Sequence, residues 1–154
     1  MLRVNKVDEW LRSAPVRRAL STHGDCVLIR AASLTSRVTS QSAGAQAPCL
    51  QVVMIPAGSR GMPHYHPDHE TAIYSVSGQI EVWHGHGLVK RTVVRAGDFM
   101  YIPPGTPHLP VNRGDETAIA IVARPGPAET GGRVVVELPR HLAGLLSLPV
   151  AALE

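Results

Sequence analysis

Two histidines and a glutamate stand close together in the segment HYHPDHE, residues 64–70, and their types and spacing suit a metal ion. His64 and His66 are two residues apart, so in a β-strand their side chains leave the same face, roughly 6–7 Å apart. Two imidazoles at that separation can converge on one ion, at roughly 2.0–2.1 Å each. Glu70 follows four residues after His66, so in an unbroken strand its side chain points to the same face. The segment therefore predicts three ligands to one divalent ion: His64, His66 and Glu70.

A second segment, GDFMYIPPGTPHLPVN at residues 97–112, supplies a further histidine. Gly97 and Asp98 predict a tight turn, and residues 99–102 predict a strand. The run Pro-Pro-Gly at residues 103–105 predicts a sharp bend, because proline fixes φ and glycine permits positive φ. His108 then lies on the returning strand, which in a closed barrel can bring it back to the other three side chains. His108 is thus the predicted fourth ligand.

Short β-branched runs separated by glycine or proline follow one another from residue 48 onward, with no helical pattern between them. Strands at such close spacing indicate an all-β domain, and closure into a barrel or a double-sheet jelly roll protects the strand edges. The predicted strands cover residues 50–55, 62–66, 71–76, 79–83, 88–95, 99–102, 108–112, 117–123 and 134–138.

The segments on either side of the predicted barrel, residues 48–138, differ from it in composition. Residues 1–47 are predicted to form an N-terminal extension with a short helix over 7–20, a first strand over 26–31 and a loop rich in serine and alanine. Residues 139–154 predict one or two apolar helical turns, packed across the barrel end or against a partner subunit.

The bulk composition describes one globular domain of 154 residues, 44% of them hydrophobic and 18% charged. The net charge of +3 comes without a basic run interleaved with aromatics, so nucleic acid is not an expected partner. We expect no membrane partner and no secretion, because no apolar run reaches transmembrane length and no signal pattern opens the chain. Cys26 and Cys49 lie outside any C-x-x-C pattern. The expectation is a cytoplasmic protein with free thiols.

The first histidine segment resembles a motif of the cupin superfamily, G-x5-H-x-H-x3/4-E-x6-G. It runs here from Gly58 through His64, His66 and Glu70 to Gly78. It departs from the family pattern at one point, since seven residues rather than six separate Glu70 from Gly78.

The second segment resembles the other cupin motif, G-x5-P-x-G-x2-H-x3-N, and matches all of its spacings. It runs from Gly97 through Pro103, Gly105 and His108 to Asn112. The two motifs stand in the family's order, and the resemblance covers roughly residues 50–138. It implies a small single-domain cupin, with a double-stranded β-helix, or jelly-roll, barrel and a three-histidine, one-glutamate metal site in its mouth.

The resemblance also implies a homodimer, but it does not choose a reaction. Cupins include dioxygenases, oxidases, isomerases, epimerases, polyketide cyclases and non-enzymatic binders, and a fold shared this widely hosts many functions. The leading hypothesis is an oxygenase that acts on a small enolisable or phenolic molecule at one divalent ion. The alternatives are a redox-neutral cyclase or isomerase, and a non-catalytic binder. Mixed nitrogen and oxygen ligands admit Fe, Zn, Ni, Mn or Cu without selecting among them.

Three further sets of side chains are candidates for a role beside the metal. Glu70 is a candidate proton acceptor as well as a ligand. In an unbroken strand the side chain of His69 points to the opposite face from His66 and Glu70, which places it either in solvent or beside the ligands near the barrel mouth. The side chain of Tyr74 points to the same face as Glu70, so Tyr74 is the best pocket candidate. Either of the two is a candidate for carrying protons. His84 and His86 form an H-x-H pair, but the glycines around them favour a hairpin turn over a second metal site.

Overall fold

The computed structural model of the chain describes residues 37–38, 48–125 and 132–151. The predicted N-terminal helix and the predicted strand over 26–31 lie outside these residues. 3₁₀ helices cover His86–Leu88 and Arg140–Ser147. The strands, in chain order, are β1 (Arg37–Val38), β2 (Pro48–Ile55), β3 (Ser59–Arg60), β4 (His64–Tyr65), β5 (Thr71–Ser77), β6 (Gln79–His84), β7 (Lys90–Arg95), β8 (Phe99–Ile102), β9 (His108–Asn112), β10 (Ala118–Pro125) and β11 (Val134–Val135).

Within the described ranges the strands form two antiparallel sheets. The first sheet has the order β1-β2-β10-β5-β8, and the second has the order β11-β4-β9-β6-β7 with β3 also paired to β9. Most neighbouring strands are distant in sequence, as β2 and β10 show by pairing over their full lengths from Pro48↔Pro125 to Ile55↔Ala118, whereas β6 and β7 form a hairpin. This arrangement confirms the predicted all-β jelly-roll barrel.

The apolar core lies between the two sheets. Ile55 and Ala118 from the first sheet pack against Ile80, Val82 and Val94 from the second. Burying an aliphatic side chain of this size contributes about 1.5–3 kcal/mol. These contacts hold the sheets face to face and leave the histidine end of the interior free for a cavity.

A second apolar cluster covers the outer face of the six-stranded sheet. Leu142 and Leu145 of the C-terminal 3₁₀ helix pack on Leu109 and Val111 of β9. The predicted helical turns of the tail are therefore present, and they lie against this chain's own sheet. No helix among the described residues is long and apolar enough to cross a membrane.

Two of the predicted strands, over 62–66 and 134–138, contain only two residues each, and the first of these affects the site. The sequence predicts a strand over 62–66, but β4 contains only His64 and Tyr65. The chain then passes through bends at Pro67 and Asp68 and resumes as a strand at Thr71. Because the alternation of side chains is interrupted here, the face to which His66 points does not determine the face to which later side chains point.

Candidate metal centre

His64 and His108 lie directly opposite each other on the paired strands β4 and β9. In-register residues of antiparallel neighbours project to the same face. Their ring centroids are 4.3 Å apart, and both residues are buried, with 7% and 6% of their surfaces exposed. Strand pairing alone therefore brings together two histidines that are 44 positions apart in the sequence.

Backbone carbonyls fix the tautomer of both rings. His64 donates from Nδ1 to the carbonyl oxygen of Met62 at 2.7 Å, and His108 donates from Nδ1 to that of Thr106 at 2.9 Å. A carbonyl oxygen only accepts, so Nδ1 carries the proton and Nε2 presents its lone pair. Orientation of one ring nitrogen by a backbone carbonyl is the usual support of a metal-binding histidine.

His66 completes the cluster from the end of β4. Its carbonyl oxygen accepts a 2.7 Å hydrogen bond from the backbone nitrogen of Gly105, which ties it to the turn of the second motif. Its ring centroid lies 4.9 Å from that of His64 and 5.8 Å from that of His108. Among the described residues, the candidate ligand atoms of these three histidines lie within 4.8 Å of one another.

The His66 ring is an orphaned polar group. Only 4% of the residue is exposed, and neither ring nitrogen has a hydrogen-bond partner within the described part of the chain. A buried polar group without a partner costs free energy. A metal ion would give one of these nitrogens its partner, so the donor set fits a metal-binding site.

Burial keeps all three imidazoles neutral near pH 7. Burial, followed by the positive charge of Arg124, lowers the pKa of His66 to about 3. Burial, followed by the neighbouring His64, lowers the pKa of His108 to about 4. Burial also lowers the pKa of His64. The neutral form is the one that binds metal ions, so the three histidines can bind a cation without first losing a proton.

The structure does not bring Glu70 into this cluster. The residue is exposed, and its Oε2 accepts a 2.8 Å hydrogen bond from the hydroxyl of Tyr101. It lies in a surface depression together with Ala72 and Tyr101. The parity argument that selected Glu70 fails because the strand is broken between Tyr65 and Thr71. Direct ligation by Glu70 stays a prediction that this arrangement does not support.

Thr71 occupies the place that the family motif gives to its glutamate. It opens β5, is 2% exposed and lines the interior cavity with His64 and His108. Four residues separate it from His66 and six separate it from Gly78, so it satisfies both spacings of the motif, including the one that Glu70 does not. That spacing mismatch was the sequence signal for this residue.

His69 lies beside the cluster and Tyr74 lies away from it. The ring of His69 stacks on that of His66, with centroids 4.4 Å apart, and burial lowers its pKa. The expectation of a place beside the ligands therefore agrees with the structure, and its role stays a prediction. Tyr74 is 38% exposed and contacts Phe99, whereas its neighbour Ile73 lines the cavity. Tyr74 does not line this cavity, because β5 begins with inward-facing Thr71, and its catalytic role stays a prediction.

His84 and His86 do not form a second metal site within the described residues. His84 lies opposite His108 on β6, and its Nε2 is 2.9 Å from the hydroxyl of Thr92. His86 lies in the 3₁₀ turn that joins β6 to β7 and is exposed. The turn expected from the surrounding glycines is present.

An interior cavity of about 70 Å³ lies between the sheets next to the histidines. Most of its lining is aliphatic, and its polar lining includes His64, His108 and Thr71. Arg124 of β10 and Arg133 also line it. Sequence reasoning missed both arginines. In β10 the cavity-lining residues Ala120, Val122 and Arg124 alternate, and this period of two was the available signal for Arg124.

Comparison with known proteins agrees with this architecture. The sequence model of a family described as "Cupin domain" matches residues 51–124, and no curated protein matches the chain in sequence. A conserved protein with a double-stranded β-helix domain from Klebsiella pneumoniae is similar in structure, with 22% identity and a TM-score of 0.58. That match covers 89% of this chain and 99% of the other.

The S161A mutant of Bacillus subtilis oxalate decarboxylase is also similar, with 19% identity, a TM-score of 0.57 and coverage of 66% of this chain and 27% of that one. Another structure of that enzyme, described for its Mn(II) centres, matches at 20% identity and a TM-score of 0.58, with the same coverage. At these identities the likenesses show a shared fold. The family match shows that residues 51–124 form a cupin domain, and the two facing antiparallel sheets have the fold expected of one.

Proposed function

We propose that the protein is a metal-dependent oxygenase in which His64, His66 and His108 hold one divalent ion and the adjoining cavity holds a small organic substrate. The observation that carries the proposal is the convergence of three buried, neutral imidazoles, two of which present Nε2 through backbone-fixed tautomers. A bound divalent transition metal would supply Lewis acidity and, where the metal is redox-active, the capacity to activate dioxygen.

The donor set determines the charge at the centre. Three neutral imidazoles leave the full charge of a divalent ion, whereas a fourth, carboxylate ligand would reduce it. Imidazole suits Fe, Ni, Cu and Zn, whereas Mn favours carboxylate and other oxygen ligands. With Thr71 rather than a carboxylate facing the cavity, Fe, Ni, Cu or Zn is favoured over Mn.

The walls of the cavity support chemistry that must exclude bulk water. Aliphatic side chains from both sheets, including Val53, Ile73 and Val82, line the space next to His64 and His108. A site with few competing water molecules strengthens electrostatic interactions with a bound substrate. The Nε2 of His69 is buried and has no hydrogen-bond partner among the described residues. Because its ring stacks on that of His66, His69 is a candidate to accept a substrate proton.

Oxygen consumption and metal analysis test the proposal together. The protein is purified without added metal, its metal content is measured, and oxygen uptake is followed with a β-diketone and with a catechol as probes. We expect about one redox-active ion per chain and uptake that depends on one of the probes. Zinc with no uptake would favour a redox-neutral cyclase or isomerase, and the absence of any bound metal would contradict the proposal.

A further inference from the structure

We propose that the outer face of the first sheet is a homodimer interface, in which the same face of a second copy of the chain packs against it. This surface is called the aromatic face. It consists of outward side chains of β10, β5 and β8, namely Ile121, Ala123, Ala72, Tyr74, Phe99 and Tyr101. The interface concerns the assembly of the protein and is independent of the metal-dependent function.

Strand alternation determines which side chains of the first sheet point away from the barrel interior. Ile73 of β5 lines the interior cavity, so its neighbours Ala72 and Tyr74 point outward. The pairing of β5 with β8 places Tyr101 opposite Ala72 and Phe99 opposite Tyr74, and paired residues share a face. The pairing of β10 with β5 extends each of these two rows by one further residue. The aromatic face is therefore one continuous surface across three strands.

The largest side chains of the aromatic face are also its most exposed. Phe99 is 82% exposed and Tyr101 is 58% exposed, and the ring of Tyr74 lies against that of Phe99 with centroids 4.7 Å apart. The outer face of the second sheet, in contrast, is covered by Leu142 and Leu145 of the C-terminal 3₁₀ helix. None of the six side chains of the aromatic face is charged. A contiguous apolar surface of this kind marks an interaction site.

The area of the aromatic face is sufficient for a dimer. A full aromatic side chain has a surface of roughly 150–250 Å², so the exposed fractions of Tyr74, Phe99 and Tyr101 amount to about 350 Å². Two copies together contribute about twice this area before their aliphatic neighbours are counted. A specific interface buries at least about 1,000 Å² in total. The three rings of each copy thus supply more than half of the area that a stable dimer needs.

A second copy matches the aromatic face better than residues 1–36 of the same chain do. Those residues carry six basic and three acidic side chains, and they precede β1, which lies at the edge of the sheet opposite to β8. A second copy presents an equally uncharged aromatic surface, and a two-fold axis places one patch against itself. At the rim, Glu70 accepts a hydrogen bond from Tyr101. An aromatic centre with a polar rim is the usual composition of a protein interface.

Sedimentation equilibrium of the full chain tests the proposal. We expect the parent protein to have twice the mass of one chain at micromolar concentration. Phe99→Lys and Tyr74→Lys should each raise the dissociation constant of the dimer at least about a hundredfold, because the two-fold interface would bury two like charges without partners. The matched control is Val89→Lys, which places the same charge on an exposed apolar residue between the 3₁₀ turn and β7. It should dimerise like the parent.

A monomeric parent would overturn the proposal and would leave residues 1–36 or a different protein as the occupant of the aromatic face. A dimer that dissociates no more readily in the two aromatic-face variants than in Val89→Lys would overturn it as well, because the contact would then lie elsewhere. Circular dichroism shows whether each variant is folded. Tyr74→Lys keeps the test decisive if Phe99→Lys does not fold.

Discussion

His64 and His108 are equivalent in their local geometry as well as opposite each other across two strands. Each ring donates from Nδ1 to the carbonyl oxygen of the residue two positions before it, Met62 and Thr106 respectively. The same local hydrogen bond is thus used twice, once in each motif, and it aims two Nε2 atoms at one region. This paired orientation is a feature expected of ligands rather than of histidines that merely fill a core.

Replacing Glu70 should leave the metal in place. Its carboxylate faces Tyr101 at the surface, so Glu70→Gln should retain the metal content of the parent protein. The hydrogen bond to Glu70 raises the pKa of Tyr101, and the same variant should let that pKa fall, as measured by phenolate absorbance during titration with base. Loss of metal in Glu70→Gln would restore Glu70 as a ligand.

Introducing a carboxylate at position 71 should create a fourth ligand. Thr71 is buried at the cavity, so the glutamate of Thr71→Glu is costly without a cation and is stabilised by one. We expect added metal to raise the melting temperature of Thr71→Glu more than that of Thr71→Gln, a neutral side chain of matching size. An equal response of the two variants would show that position 71 does not face the ion.

The turn at Gly78 should not tolerate a side chain. Its φ is +73°, and a Cβ placed there would lie 2.8 Å from the Cα of Ala118. Gly78→Ala should therefore cost about 3 kcal/mol or more, which combines left-handed backbone strain with a steric clash. Gly58→Ala is the control, because its φ is +64° and nothing lies within 4 Å of its Cβ position. It should cost only the strain, about 1–2 kcal/mol. Equal urea midpoints for the two variants would contradict the steric argument.

The metal-free protein should lose stability as the pH falls below about 6.5. The pKa of His66 is lowered to about 3 and that of His108 to about 4, from 6.5. Between the folded and unfolded values the unfolded chain binds more protons, so acidification favours unfolding. This contribution is complete above the unfolded pKa and is lost progressively as the pH drops through the folded values. Melting temperatures across that window should fall more steeply for the parent than for the variant His66→Gln/His108→Gln. Parallel curves would contradict the assignment.

The sequence was most informative where glycine and proline mark the ends of strands. β8 and β9 match the predicted ranges 99–102 and 108–112 without change, because the turn residues between them leave little conformational choice. The alternation argument that selected Glu70 failed in a segment of the opposite kind. The strand ends at Tyr65 and the chain bends at Pro67 and Asp68, so the alternation of side chains does not continue from His66 to Glu70.

The residues that line the cavity could be identified only from the order of the strands in the two sheets. Arg124 lies in β10 of the first sheet and Arg133 lies just before β11 of the second, and their local sequence does not indicate that they line the same cavity. The homodimer and the cytoplasmic location remain predictions.

Elemental analysis of two double variants tests the central claim most directly. His64→Ala/His108→Ala removes the two opposed ligands, and His84→Ala/His86→Ala removes the same number of histidines outside the cluster. Purified without added metal, the parent and the second variant should each contain about one transition-metal ion per chain, and the first should contain none while remaining folded by circular dichroism. Stoichiometric metal in His64→Ala/His108→Ala would contradict the assignment of the centre.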